Sequence, residues 1–224
     1  MTAAATYPNP DKAALIRTGN AVRKRLSADS SIQRIPVDQA EIYAVSQFLS
    51  PAECEALIAM IDVVAQPSRV FDHGYGANYR TSYSGDVVRD DPFVRMVERR
   101  IDDLLGIPHA FGETIQGQRY LPGQEFKPHM DWFFTKAAYW QEEARRGGQR
   151  CHTAMVYLNQ VDEGGTTDFT RIGVSVPPQQ GAMLLWNNFR ADGTPNDDTM
   201  HAGTPVVRGV KYIITKWYRT RKWG

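Results

Sequence analysis

The sequence predicts a mainly β fold with accompanying helices, an α+β chain whose strands form a sandwich or jelly roll and whose helices pack on one outer face. Three observations predict it. Helical periodicity is concentrated in the first half, extended apolar segments dominate after Pro108, and 224 residues with 42% hydrophobic content can bury one full core.

Residues 1–40 read as an N-terminal tail and helix, and residues 41–224 as a single domain. The tail is polar to about Asp11. Residues 11–28 then set Leu15, Val22 and Leu26 on one side, leaving Arg17, Arg23, Lys24 and Arg25 as a solvated basic face. Residues 41–48 are β-branched and aromatic and read as a strand. Ser50, Pro51 and Glu53 spell an N-cap, a first-turn proline and a capping box, and the helix they open buries Leu57, Ile58 and Ile61. Residues 66–85, rich in Gly, Tyr and Arg, lack a helical period and read as a loop with short strands, in which His73 is not a ligand. Asp91-Pro92 starts another helix with Phe93, Val94, Val97, Ile101 and Leu104 or Leu105 on its apolar stripe, and Gly106 ends it. Strands follow at 113–120, 126–132, 153–158, 173–176, 182–186 and 210–218, with a helical insertion at 136–148.

Composition excludes several classes of function. A formal net charge of +1 gives no electrostatic case for nucleic acid or a membrane surface. No apolar run approaches the roughly 18 residues a membrane span needs, and the N-terminus lacks a secretory apolar core, so the expected location is the cytoplasm. Cys54 and Cys151 make no disulfide framework and read as small buried hydrophobes. Cys151 and His152 are adjacent on a strand, point to opposite faces and do not chelate together.

The chemistry concentrates in RYLPGQEFKPHMDWF, residues 119–133. On an extended segment His129 and Asp131 leave the same face, where an imidazole and a carboxylate can meet one ion. His201, opening HAGTPVVRGVKYIITKWYR, is the natural third ligand, and two His with one carboxylate form the facial set of non-haem Fe(II) oxygenases. A His-x-Asp triplet alone is weak evidence. Lys211, a lone cation in an apolar run, shares a strand face with Ile213, Thr215 and Trp217, while Thr153, Met155 and Tyr157 share another. Lys211 reads either as a snorkelling edge lysine or as the partner of a buried carboxylate.

Arg119, Tyr120, Gly123 and Gln124 before the triplet, RCHTAMVYLNQVDEGGTTDF between the ligands, and a lysine ten residues after His201 together carry a resemblance. The chain resembles the 2-oxoglutarate- and Fe(II)-dependent oxygenases, most closely the prolyl 4-hydroxylase branch, over residues 80–219. The resemblance implies a double-stranded β-helix core that hydroxylates a substrate C–H and releases succinate and carbon dioxide. It implies Fe(II) on His129, Asp131 and His201, and 2-oxoglutarate held by Lys211 with Tyr157, Tyr120, Thr153, Thr215 and Trp217. Tyr157 is favoured over Tyr120 as the tyrosine on the distal carboxylate. O2 is the co-substrate, ascorbate the reactivating reductant, and a peptidyl proline in a peptide or protein the expected target. Arg150, Trp132 and the Arg80 neighbourhood are the expected substrate contacts. Gly164-Gly165-Thr166-Thr167-Asp168-Phe169 keeps the family pattern but Thr170 replaces a common proline, and Trp186 exceeds the usual aromatic, changes that bear on loop shape. Two alternatives stand beside this reading: the same cofactors acting on a non-prolyl target such as a free amino acid, and a non-catalytic cupin-like metal-binding barrel, which leaves Lys211 no carboxylate to meet. Oligomeric state is not legible in the sequence.

Overall fold

A computed structural model describes residues 11–69 and 78–224, so the His73 part of the expected loop lies outside the described residues. The first half comprises α1 (Lys12–Ala28), β1 (Ile32–Arg34), β2 (Ile42–Val45), α2 (Pro51–Val64), β3 (Gln66–Pro67), β4 (Tyr83–Asp86) and α3 (Pro92–Leu105). The second half runs β5 (Gln116–Tyr120), β6 (Phe126–His129), α4 (Trp140–Arg145), β7 (Arg150–Tyr157), β8 (Glu163–Gly164), β9 (Thr167–Phe169) and β10 (Val174–Val176). It closes with β11 (Met183–Asn187), β12 (His201–Gly203), β13 (Val206–Arg208) and β14 (Lys211–Arg219).

Local chemistry fixes the helix ends. Ser50 and Glu53 form the reciprocal capping box at α2, and Asp91 accepts from the Phe93 and Val94 amides at α3. Gly106 stops α3 in the left-handed region at φ 67°, which a side chain would strain.

Eight strands form the major sheet in the order β1-β2-β11-β7-β14-β5-β4-β3, facing a four-stranded sheet ordered β10-β9-β12-β6, with β13 and β8 as a separate pair. Every pairing is antiparallel. Side-chain alternation divides the major sheet between two cores. Val45, Ala154, Val156, Leu185, Ile214 and Tyr218 pack with Leu15, Leu57, Ile61, Val97 and Ile101 of the helices. Met155, Tyr157, Leu184, Trp186 and Ile213 face the opposite way, into the barrel with Phe169 of the minor sheet. α1, α2 and α3 thus lie on one outer face of a jelly roll, as expected. Contact between layers is close: a Cβ on Gly117 would meet Ile61 at 2.3 Å, so α2 lies against β5 only because that position has no side chain.

Several expectations are corrected. The strand expected at 126–132 stops at His129, and the one at 113–120 starts at Gln116. The 201–219 segment breaks into β12, β13 and β14, turning at Gly209 with φ 91°. The basic face of α1 is not wholly solvated. Arg23 pairs with Glu41 at 2.6 Å and Arg25 donates to the Asp103 and Leu104 carbonyls, so these cations tie α1 to the sheet and to the α3 C-terminus. Cys54 and Cys151 are buried and free. Among the described residues no helix is long and apolar enough to cross a membrane.

Candidate active site

The antiparallel ladder between β6 and β12 sets His201 directly opposite His129, with ring centroids 4.2 Å apart. Asp131 lies in the bend two residues beyond His129. One potential ligand atom from each of His129, Asp131 and His201 lies within 4.8 Å of the other two. Backbone carbonyls fix both imidazoles: His129 Nδ1 donates to Lys127 O at 2.8 Å and His201 Nδ1 to Thr199 O at 3.0 Å. Each ring is thereby left with its Nε2 lone pair free for a metal. Burial, with His201 beside it, holds His129 well below the ordinary histidine range, in its neutral ligating form.

Asp131 is 7% exposed and accepts from Thr153 Oγ1 at 2.7 Å, while Thr153 accepts from Asn188 Nδ2 at 3.0 Å. Its nearest basic partner among the described residues is His201 Nε2 at 3.9 Å. The Arg80 and Arg150 guanidiniums are in range of its charge but make no ion pair to it, and a carboxylate beside two imidazoles forms a donor set for a divalent cation. The donor set therefore fits Fe(II).

Below the triad an inner cavity of about 40 Å³ is lined by Gln118, Tyr120, Thr167, Lys211, Thr215 and Trp217 with the three ligands. Lys211 is 1% exposed and has no hydrogen bond or ion pair to a described residue; its ammonium lies 5.4 Å and 5.5 Å from the Tyr120 and Tyr157 rings. Burial pushes its pKa down to about 7, against the opposing field of Asp168. An enclosed amine with no ion pair to a described carboxylate fits the distal carboxylate of a dicarboxylic acid.

The other expected cosubstrate contacts divide. Tyr120 lines the cavity and donates to Gln118 Oε1 at 2.8 Å, and Gln118 Nε2 donates to Thr215 at 3.1 Å. Tyr157, favoured from sequence, instead donates to Val176 O at 3.2 Å and presents its ring to Lys211. Thr153 sits behind Asp131 and does not line the cavity. Sequence reasoning missed Gln118 and Thr167; the Gly-Gly-x-Thr pattern was the available signal for Thr167.

An outer cavity of about 120 Å³ joins the metal site to the surface, lined by Arg80, Gln116, Trp132, Phe133, Phe134 and Arg150 among others. The three expected substrate residues, Arg80, Trp132 and Arg150, all meet there. Arg150 pairs both carboxylate oxygens of Glu113 at 2.7 Å and lies 3.9 Å over the Trp217 ring. Gln149 clamps the Phe133 backbone, accepting from its N–H at 2.9 Å and donating to its carbonyl at 2.7 Å. Neither Glu113 nor Gln149 was marked in the sequence, where Glu113 only opened an expected strand and Gln149 fell between the helical insertion and the next strand.

A metal triad open on one side, with an ammonium waiting deeper in the barrel, defines the class of Fe(II) oxygenases that take 2-oxoglutarate as cosubstrate. Comparison with known proteins gives the same class and narrows it. Residues 115–219 match the sequence model of the 2OG-Fe(II) oxygenase superfamily. The chain is 34% identical over 200 residues to probable prolyl 4-hydroxylase 3 of Arabidopsis thaliana, covering 78% of this chain and 68% of that one. It is 32% identical over 235 residues to prolyl 4-hydroxylase 1 of the same plant, covering 96% and 78%. The viral collagen prolyl hydroxylase of Paramecium Bursaria Chlorella virus-1, solved with 2OG, superposes with a TM-score of 0.63 at 25% identity over 79% of this chain and 94% of that one. A Trichoplax adhaerens prolyl hydroxylase, solved with a hypoxia inducible factor peptide fragment, shares the fold with a TM-score of 0.59 at 16% identity, covering 96% and 94%. The chain belongs to the prolyl 4-hydroxylase family of the 2OG-Fe(II) oxygenases.

Proposed function

We propose that this protein is a dioxygenase that hydroxylates prolyl residues of a peptide or protein substrate, consuming O2 and 2-oxoglutarate and releasing succinate and carbon dioxide. The observation that carries this reading is Lys211, enclosed beneath His129, Asp131 and His201 with no ion pair to a described carboxylate. The prolyl 4-hydroxylase names of the relatives support proline as the target.

Bound Fe(II) with 2-oxoglutarate would supply the oxygen chemistry, and the protein supplies binding, orientation and exclusion of water. His129, Asp131 and His201 would hold the ion, and Thr153 fixes the Asp131 carboxylate through Oδ2. Lys211 neutralises the distal carboxylate of the cosubstrate, with Tyr120, Thr167 and Thr215 offering hydroxyls along the same cavity. Trp217, Arg80 and Phe126 border both cavities, between the cosubstrate space and the substrate space. Arg80, Trp132 and Arg150 would orient the peptide in the outer cavity beside the metal ligands. Ascorbate would serve as the reductant that keeps the bound iron in its Fe(II) state, and the expected place of work is the cytoplasm. Incubation with Fe(II), 2-oxoglutarate, ascorbate and proline-containing peptides, read by mass spectrometry, tests the reading. A gain of one oxygen on proline with matching succinate is expected; succinate formation with no proline peptide ever modified refutes proline as the target.

A further inference from the structure

A second cation, Arg80, lines the outer cavity as well as the inner one. Arg80 Nε donates to Ser82 Oγ and its Nη2 to Gln116 Oε1, each at 3.0 Å, and its guanidinium lies 4.8 Å over the Phe126 ring. These hydrogen-bond acceptors are neutral, and no ion pair joins Arg80 to a described carboxylate. Arg150, the neighbouring guanidinium, is already matched by Glu113. Arg69 adds a third positive charge to the same rim. Among the described lining residues the sole carboxylate is Asp131, which belongs to the metal.

The position of Arg80 relative to the ion is set by backbone. Arg80 bridges to Phe126, and Phe126 stacks on the His129 ring with centroids 3.4 Å apart. The guanidinium therefore stands one aromatic layer from the metal, on the path from the surface. A shielded cation facing only neutral acceptors is incompletely compensated, and a charged acceptor placed there makes a stronger, shorter hydrogen bond than water or an amide. Burial lowers the Arg80 pKa against the opposing field of Asp131, the carboxylate committed to the metal.

We infer that the outer cavity receives a carboxylate of the substrate and that Arg80 binds it. The hydroxylated proline then either neighbours an acidic side chain or carries a free C-terminal carboxylate. This rests on the prolyl hydroxylase reading and deepens it by fixing the charge of the substrate.

The test uses the Fe(II)- and 2-oxoglutarate-loaded full chain with matched peptides in which the residue beside proline is Glu, Gln or Lys. A second set ends in proline with a free or an amidated C-terminus. Wild-type kcat/KM is expected to favour one carboxylate form over its amide by roughly 10- to 100-fold, with Lys the poorest neighbour. The set in which the gain occurs distinguishes a side-chain carboxylate from a terminal one. In Arg80→Gln the acid-to-amide ratio should fall to near one, a comparison made within one enzyme and so independent of its overall rate. Equal wild-type turnover of acidic and amide peptides in both sets overturns the inference, as does a preference that survives in Arg80→Gln. Should that variant fail to fold, the wild-type ratios decide alone. Turnover of every peptide without charge preference defeats this inference only, whereas turnover of none defeats the prolyl hydroxylase reading with it.

Discussion

Lys211 stands directly across the β5–β14 ladder from Tyr120, its ammonium 5.4 Å from that ring, so one cross-strand pair supplies both a charge and a wall of the inner cavity. Lys211→Ala leaves the distal carboxylate of 2-oxoglutarate buried without a partner. The expected loss is about 3–5 kcal/mol of cosubstrate affinity, two to three orders of magnitude or more in the dissociation constant. Titration of 2-oxoglutarate against succinate formation measures it, and an unchanged apparent affinity would put the cation elsewhere.

Burial lowers the Lys211 amine to about 7, which gives cosubstrate binding a pH dependence of definite sign. Above that pH the free enzyme carries a neutral amine and takes up a proton when the dicarboxylate binds. Affinity for 2-oxoglutarate therefore weakens as pH rises past about 7. Calorimetry in buffers of different ionisation enthalpy should reveal the proton uptake. In the unfolded chain the amine returns toward 10.5 and binds more protons than the folded one between these values, so stability of the ligand-free protein rises with pH across that window.

Thr153 acts on the metal through Asp131. Thr153→Val removes the 2.7 Å hydrogen bond to Oδ2 while keeping the shape, and should weaken Fe(II) binding about 10- to 100-fold. Thr153→Ser, which retains the hydroxyl, should recover most of it. Anaerobic equilibrium titration of Fe(II) separates the two; equal affinities in Val and Ser variants would free Asp131 from this dependence.

Lys216 points to the opposite side of β14 and is fully buried, 2.9 Å from Asp102 and 3.3 Å from Glu98 on α3. Lys216→Met strands two buried carboxylates and should cost about 3–5 kcal/mol of folding stability, read by urea unfolding. Adding Glu98→Gln should recover part of the loss, and no recovery would argue against charge as its cause.

Gln149→Met removes both bonds to the Phe133 backbone and should raise the peptide KM while leaving the KM for 2-oxoglutarate in place. Parallel kinetics with each substrate varied in turn separate these effects. A rise in both would mark a general loss of structure.

Legibility in the sequence followed the range of the interactions involved. The capping box at Ser50, the glycine stop at Gly106 and the alternation along Lys211, Ile213, Thr215 and Trp217 are local patterns, and all reappear in the structure. The convergence of His129 and His201 was readable only because the ligand spacing resembles a known family. What stayed hidden depends on partners distant in the chain. Glu113 is defined by Arg150 and Arg219, and Gln149 by the Phe133 backbone. Tyr157 and Tyr120 both occupy barrel-facing strands, and only the placement of the Val176 carbonyl draws the Tyr157 hydroxyl away from the cavity. The short strands β1, β9 and β12 have three residues each, too few to display a period.

The central claim is that His129, Asp131 and His201 together hold one Fe(II) ion, and direct binding tests it before any turnover is asked for. Fe(II) titrated anaerobically into wild type, Asp131→Ala and His201→Ala, with circular dichroism to verify folding, should show a single tight site in wild type. Each folded variant should bind at least about 100-fold more weakly. Wild-type affinity in either folded variant would contradict the account.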